Sequence, residues 1–177
     1  MKMNNMVIPE VVNNFNVYDG DGDIMIGITD EMSFAELSNV VATITGAGIA
    51  GSYDVPVIGH YTSITQEIPF RILYAPILKY ANPMKQVNIN VRGAIQVTDK
   101  STGVSDLMGM RYVVKGRNKT LSPGSLKPGN AMGSKLNIEA TYILYEIDGE
   151  KLIEIDKLNS VCVIGGQDLM EKVRKLC

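Results

Sequence analysis

Between positions 87 and 98 the chain alternates in character, and no other feature constrains the fold so tightly. Val87, Ile89, Val91, Ile95 and Val97 point one way, while Asn88, Asn90, Arg92, Gln96 and Thr98 point the other. A period of two is the mark of a β-strand with one face on a core and one in water. Asp99-Lys100-Ser101-Thr102-Gly103 reads as the hairpin loop after it. The return strand is expected from about Val104 to Arg117, with Met108, Met110, Tyr112 and Val114 on one face.

The same logic places Ile64, Ile68, Phe70 and Ile72 on one side of a strand and Thr65, Glu67 and Arg71 on the other. Pro69 inside it points to an edge position or a bulge. Phe15 to Tyr18 and Ile24-Met25-Ile26-Gly27-Ile28 are expected to pair across Asp19-Gly20-Asp21-Gly22-Asp23. Ile138 to Ile147 should pair with Lys151 to Asp156 across Asp148-Gly149, a type I′ turn signal. Helical spacing is sparse: a short helix over Tyr74 to Ala81, and one over Gln167 to Leu176 that aligns Leu169, Val173 and Leu176. Glu31 to Ser38 is ambiguous, and the Gly-, Pro-, Ser- and Asn-rich stretch from Lys119 to Ser134 reads as a long loop. These readings predict one mainly β (α+β) domain over 1–177, an antiparallel β-sandwich or barrel-like body with one or two short helices.

Composition narrows the function. The 177 residues carry 17 Lys and Arg against 19 Asp and Glu, a net charge of −2 without the basic excess that grips phosphates. Cys162, between Val161 and Val163, reads as a small buried hydrophobe and Cys177 as an exposed thiol, so a reducing compartment is expected. Met1 to Asn5 lack a long apolar signal region, and no run approaches the roughly 18 apolar residues of a membrane helix. The chain is therefore expected to begin life in a cytoplasm, with no stable membrane association.

Motifs with chemical potential fail on their surroundings. Gly46-Ala47-Gly48-Ile49-Ala50-Gly51 matches the dinucleotide fingerprint, but the β-branched Ser52 to Ile58 follows where a long helix is required. Asp19, Asp21 and Asp23 imitate a calcium loop, yet Ile24 stands where glycine is needed and Asp30 where a bidentate Glu is usual. They read as a surface hairpin. His60 has no signalled nucleophile or carboxylate partner, and Glu150, Glu154 and Asp156 look like one solvated strand face. No catalytic residue, cofactor or metal is expected.

Several segments, read in order, resemble the major tail tube protein family of contractile-tailed bacteriophages. They are Asn14 to Tyr18 leading to Gly27-Ile28-Thr29-Asp30; Thr45 to Gly51, then Asp54 to Val57 and Gly59-His60-Tyr61; Val113 to Lys119, then Leu126 to Gly129; and Tyr145 to Asn159. The match runs from about residue 14 to 176, with Gly165-Gly166 where an asparagine before the glycine is expected. The resemblance implies a homo-hexamer stacked into a tube, each subunit completing a large inner β-barrel. It implies as partners the sheath, the baseplate or tube initiator, the tape measure and the terminator, with DNA as non-specific cargo. The place implied is the virion tail or a headless tail-like bacteriocin particle, assembled in the bacterial host cytoplasm. Within that frame residues 1–13 are expected to be an N-terminal arm, 46–58 an inter-subunit loop and 167–177 a C-terminal helix. The loop presents Gly46, Gly48, Ile49, Gly51, Val55, Pro56 and Val57 to a neighbour, an apolar series that a monomer would rarely leave open. Asn88, Asn90, Arg92 and Gln96 are candidates for the lumen face, although an outer face touching a sheath would also be polar. The competing reading is a monomeric carbohydrate- or ligand-binding β-sandwich, weakened by the absence of Trp and an aromatic content of 6%.

Overall fold

The computed structural model describes residues 7–25 and 27–177. Its strands are β1 (Val7–Asp19), β2 (Asn39–Thr45), β3 (Ser52–Tyr61), β4 (Thr65–Phe70), β5 (Gln86–Asp99), β6 (Ser105–Ser122), β7 (Ser134–Ile147), β8 (Glu150–Asp156), β9 (Val161–Ile164) and β10 (Gln167–Asp168). A 3₁₀ helix spans Ala75–Tyr80 and one α-helix, α1, spans Glu171–Leu176. Eight strands form one antiparallel sheet in the order β1-β5-β6-β7-β8-β9-β10, with β4 also on β7. β4 pairs with the first half of β7, from Ser134 to Glu139, and β8 with the second half, from Tyr142 to Ile147. The two therefore lie end to end along one flank. Pro69 sits in β4, whose only strand partner among the described residues is β7, so the missing N–H costs no ladder on the other side beyond the isolated bridge of Phe70 with Ile28.

The alternating strands bury one face. Val87, Ile89 and Val91 of β5 meet Tyr112 and Val114 of β6, Leu136 and Ile138 of β7, and Ile68 and Phe70 of β4. Each such side chain, fully removed from water, contributes about 1.5–3 kcal/mol. The covering layer is the 3₁₀ helix, through Ile77 and Tyr80, and the segment from residue 24 to 38, through Met25, Ile28, Met32, Ala35 and Leu37. Its residues from 29 to 38 form no helix or strand, and a side chain ties them to the sheet. The buried Gln66 amide accepts from the Ala35 N–H (2.9 Å) and the Tyr112 hydroxyl (2.8 Å), and donates to the Ser33 carbonyl (2.8 Å). One glutamine thus ties the strap to both β4 and β6.

Where the structure departs from expectation, bulges and tertiary pairing are the cause. The expected arm over 1–13 is, from Val7 onward, the first half of β1, paired with β5 through two register shifts, at Pro9/Val11 and Val12/Asn14. Met1 to Met6 lie outside the described residues, as does Ile26 of the expected return strand. Among the described residues that hairpin keeps one isolated bridge, Tyr18 with Ile24, while Ile28 bridges instead to Phe70 of β4. β6 continues to Ser122 through a bulge between Asn118 and Thr120, so the long loop begins later, after Ser122. Ile72 lies beyond β4 and is exposed. The C-terminal helix begins at Glu171 rather than Gln167, because Gln167 and Asp168 pair with Ile164 and Val163. Asp148 and Gly149 do take the positive φ angles (50° and 79°) of a type I′ turn.

Candidate functional site

Asp19 to Asp23 form an exposed turn, flanked by the antiparallel bridge of Tyr18 with Ile24, that closes on one buried carboxylate. The Asp19 carboxylate is 5% exposed and accepts from the Asp21 and Asp23 N–H groups (3.0 and 2.9 Å), Lys79 Nζ (2.5 Å) and the Tyr80 hydroxyl (3.2 Å). Burial raises its pKa, but the hydrogen bonds from Lys79, Asp23 and Tyr80 outweigh that and hold it below its ordinary value. The Lys79 ammonium is raised in turn by its bonds to Asp19 and Tyr80. The knot joins the end of β1 to the 3₁₀ helix, with both Asp19 carboxylate oxygens engaged.

The expected loop over 46–58 is an antiparallel hairpin. β2 and β3 pair from Thr45↔Ser52 to Val41↔Pro56, and Gly46 to Gly51 form only the tip, where Gly48 and Gly51 take φ of 87° and 110°. A strand, β3, follows the glycines where a dinucleotide site has its helix. Val55, Pro56 and Val57 are therefore strand residues. The register sorts the ribbon into two faces. Thr43 and Asp54 share one and bond through their side chains (2.6 Å), with Val41 and Pro56 beside them. Ala42 and Val55, with Ile44 and Tyr53, make the other face wholly apolar. Tyr53 remains 53% exposed on it, and near the base Ile58 is 65% exposed. His60 is exposed near the same base. At that base Gly59 has φ of 72°, and a Cβ there would fall 2.3 Å from Met170 Sδ. The methionine before α1 thus packs against the root of the hairpin.

The sheet face opposite the core carries the other candidate residues. Asn88, Asn90 and Arg92 of β5 stand beside Lys115, Val113 and Arg111 of β6, which stand beside Tyr142, Leu144 and Glu146 of β7. β6 thus adds cations that the isolated strand 87–98 did not announce. Arg92 lies over the Tyr18 ring (5.2 Å), Lys115 over Tyr142 (5.0 Å), and Arg111 is 3.7 Å from Glu146. Burial, then the hydrogen bond to Glu154, push the Tyr142 phenol up to about 12. Gln96 sits lower on the same face, where its amide donates to Glu10 of β1 (2.8 Å). The structure brings Asn88, Asn90 and Arg92 together around a shallow cavity of about 340 Å³ and leaves Gln96 outside it.

A third surface was not legible from spacing. On the core side, the strap stops short of the lower half of the sheet and leaves a groove of about 920 Å³ beside β1, whose lining mixes apolar side chains with Asn13, Asn14, Asn16, Asp30, Glu31 and Arg71. Val12, Ile24, Met32, Phe34, Ile95 and Met110 are among its walls. Phe34 is 41% exposed although its ring lies tilted against Tyr112 (4.5 Å) and edge-on to Tyr145 (6.0 Å). From Val7 to Asn16 no strand pairs with the outer edge of β1 among the described residues.

Among the described residues the chain is thus a broad open sheet with a polar face, a β1 edge that no strand pairs from Val7 to Asn16, and an exposed apolar ribbon, features of a structural subunit rather than of a catalytic pocket. Residues 9–176 match the family described as phage tail tube protein FII, and the chain belongs to that family. It is 26% identical over 175 residues to the tail tube protein of Escherichia phage P2, an alignment covering 96% of this chain and 98% of that one. It is a structural protein of the phage tail tube, and its place is the virion tail.

Proposed function

We propose that six copies close into a ring, that rings stack into a hollow tube within a contractile sheath, and that the Asn88–Asn90–Arg92 face lines the bore. The supporting observation is the large sheet itself: one face is covered over its upper half by the strap and the 3₁₀ helix, while the other carries polar groups with no layer over it among the described residues. If each subunit gives four strands to a common barrel, spacing of about 4.8 Å and a tilt near 40° imply a circumference of about 150 Å. The backbone diameter is then about 48 Å and, with about 5 Å of side chain at each wall, the bore is about 38 Å. A DNA duplex passes. The cations on this face suit a conduit because Arg92 and Lys115 lie over tyrosines and Arg111 faces Glu146, which lessens their hold on passing phosphates. The hairpin over 39–61 and its tip glycines supply contacts between subunits, and the tube meets sheath, initiator, tape measure and terminator proteins.

Size-exclusion chromatography with negative-stain microscopy of the purified chain tests this reading. Six-fold rings or tubes with a bore near 38 Å are expected, and a persistent compact monomer would overturn it. A density map with Asn88 and Asn90 directed away from the axis would discard the bore assignment alone. The DNA content of purified particles separates delivery of a genome from puncture by a headless particle.

A further inference from the structure

We propose that residues 57–60 are a joint in β3 about which the β2–β3 ribbon swings, and that Met170, just before α1, is the clasp that holds the joint at one angle. The register shows the joint. Asn39 pairs with Tyr61 and Val41 with Pro56, so Val40 alone of β2 faces Val57, Ile58, Gly59 and His60 of β3. That surplus interrupts the ladder, and Gly59 within it takes φ of 72°, a left-handed conformation inside a strand. Beyond the joint, no residue from 41 to 45 or from 52 to 56 is buried. The direction of the ribbon is therefore set at its root.

Below the joint the root is fixed. The Thr62 N–H donates to the Ser38 carbonyl (2.9 Å), Lys157 Nζ donates to the Thr62 carbonyl (2.6 Å), and the Tyr61 hydroxyl lies 3.6 Å from Cys162 Sγ. Met170 meets the joint itself. It is 5% exposed, and its thioether fills the place that a Cβ on Gly59 would take. Bonds on either side fix this methionine. The Leu169 N–H donates to the Cys162 carbonyl (2.8 Å), the Met170 N–H to the Asp168 carboxylate (3.0 Å), and the Arg174 guanidinium to the Ser160 carbonyl (2.8 Å). Cys162 thus contacts both the strand below the joint and the turn that closes on it. A flexible thioether suits a clasp, since it follows small movements without leaving its seat. The clasp works within one chain, whatever that chain assembles with. A ribbon held in one direction has less freedom to lose when a partner arrives.

Double electron–electron resonance between two nitroxide labels reads the angle. In a Cys177→Ser background, Thr45→Cys on the ribbon and Leu158→Cys on the turn between β8 and β9 carry the labels, while Cys162 stays buried. The soluble chain is measured after dilution with unlabelled protein. One narrow distance is expected. Met170→Ala should at least double its width, and Met170→Leu, of similar volume, should keep it narrow. Val114→Ala weakens the core without touching the clasp and should leave the width unchanged. A parent that is already broad, a Met170→Ala variant that stays narrow, or equal broadening in Val114→Ala would overturn the proposal. Melting temperatures give a second reading should labelling disturb the fold. Gly59→Ala should lower the melting temperature at least twice as far in the parent as in Met170→Ala, where the overlap is gone and only the φ strain remains. Equal losses in both backgrounds would show that Met170 does not hold the joint.

Discussion

At the scale of single residues, Asp19 has the largest role for its size. Its buried carboxylate serves two backbone N–H groups, Lys79 and Tyr80. Asp19→Asn keeps the shape but removes the charge, and should cost about 1–3 kcal/mol, read as a lower midpoint in chemical denaturation. The pH dependence comes from the two shifts. The Asp19 pKa is depressed on folding, so its contribution is present above the ordinary value of 3.8 and is lost as pH falls through the lower folded value. The Lys79 pKa is raised, so its contribution holds below 10.5 and fades as pH climbs through the higher folded value. Acid titration of stability should therefore be shallower in Asp19→Asn than in the parent, and parallel curves would show that the knot does not carry the effect. Gly116 is a second fixed point. A Cβ there would lie 2.0 Å from the Glu139 carbonyl oxygen where β6 and β7 slip register, so Gly116→Ala should lower the melting temperature by an amount equivalent to about 1–3 kcal/mol. His60 is different, since it lies exposed in β3. His60→Gln should leave tube formation intact, and lost polymerisation would assign the imidazole a role in a contact.

Elements behave according to what covers them. β5, β6 and β7 lie deep in the sheet with a largely buried face, whereas β2 and β3 pair mainly with each other. Amide exchange in the hairpin should be fast in the monomer and slow in the tube, while β5 stays protected in both. Ile49→Asp at the tip, or Val57→Asp on β3, should abolish tubes and leave the monomer folded; normal tubes from both would refute an inter-subunit role. This contrast also explains what the sequence reveals. The strand over 87–98, its partner and the Asp148-Gly149 turn are legible because an unbroken alternation reports one buried face. The first half of β1 is not, because two bulges near Pro9 and Asn13 each shift the side-chain parity and erase the period. The hairpin reads as a loop because six residues rich in glycine form its tip, and Pro56 and Gly59 interrupt β3. Gln167 and Asp168 share a helical spacing with Glu171 to Leu176, but pairing with β9 claims them first. Among the site residues, Arg92 is visible alone; Arg111 and Lys115 join it only through the register of β5 with β6. The groove belongs to no segment, being the space between a strap and a strand.

For the molecule as a whole, assembly should need no divalent metal. The Asp19 oxygens are already engaged, so tubes should form and persist in excess chelator; their loss, restored by calcium, would reveal a site in the knot. The β1 edge faces a different demand. A subunit destined for polymerisation must accumulate in solution before a tail begins, and a straight unpaired strand would recruit whatever strand it met. Pro9 removes one donor from β1, and the slips at Pro9/Val11 and Val12/Asn14 bend the strand and break the regular spacing of its outward groups. The edge is open yet a poor template for indiscriminate pairing. Such irregularity sets a threshold: stray encounters between free subunits fail to propagate, and growth waits for a partner surface shaped to the bend. In a cell filling with copies of one chain, these two bulges help separate a store of soluble parts from a precipitate.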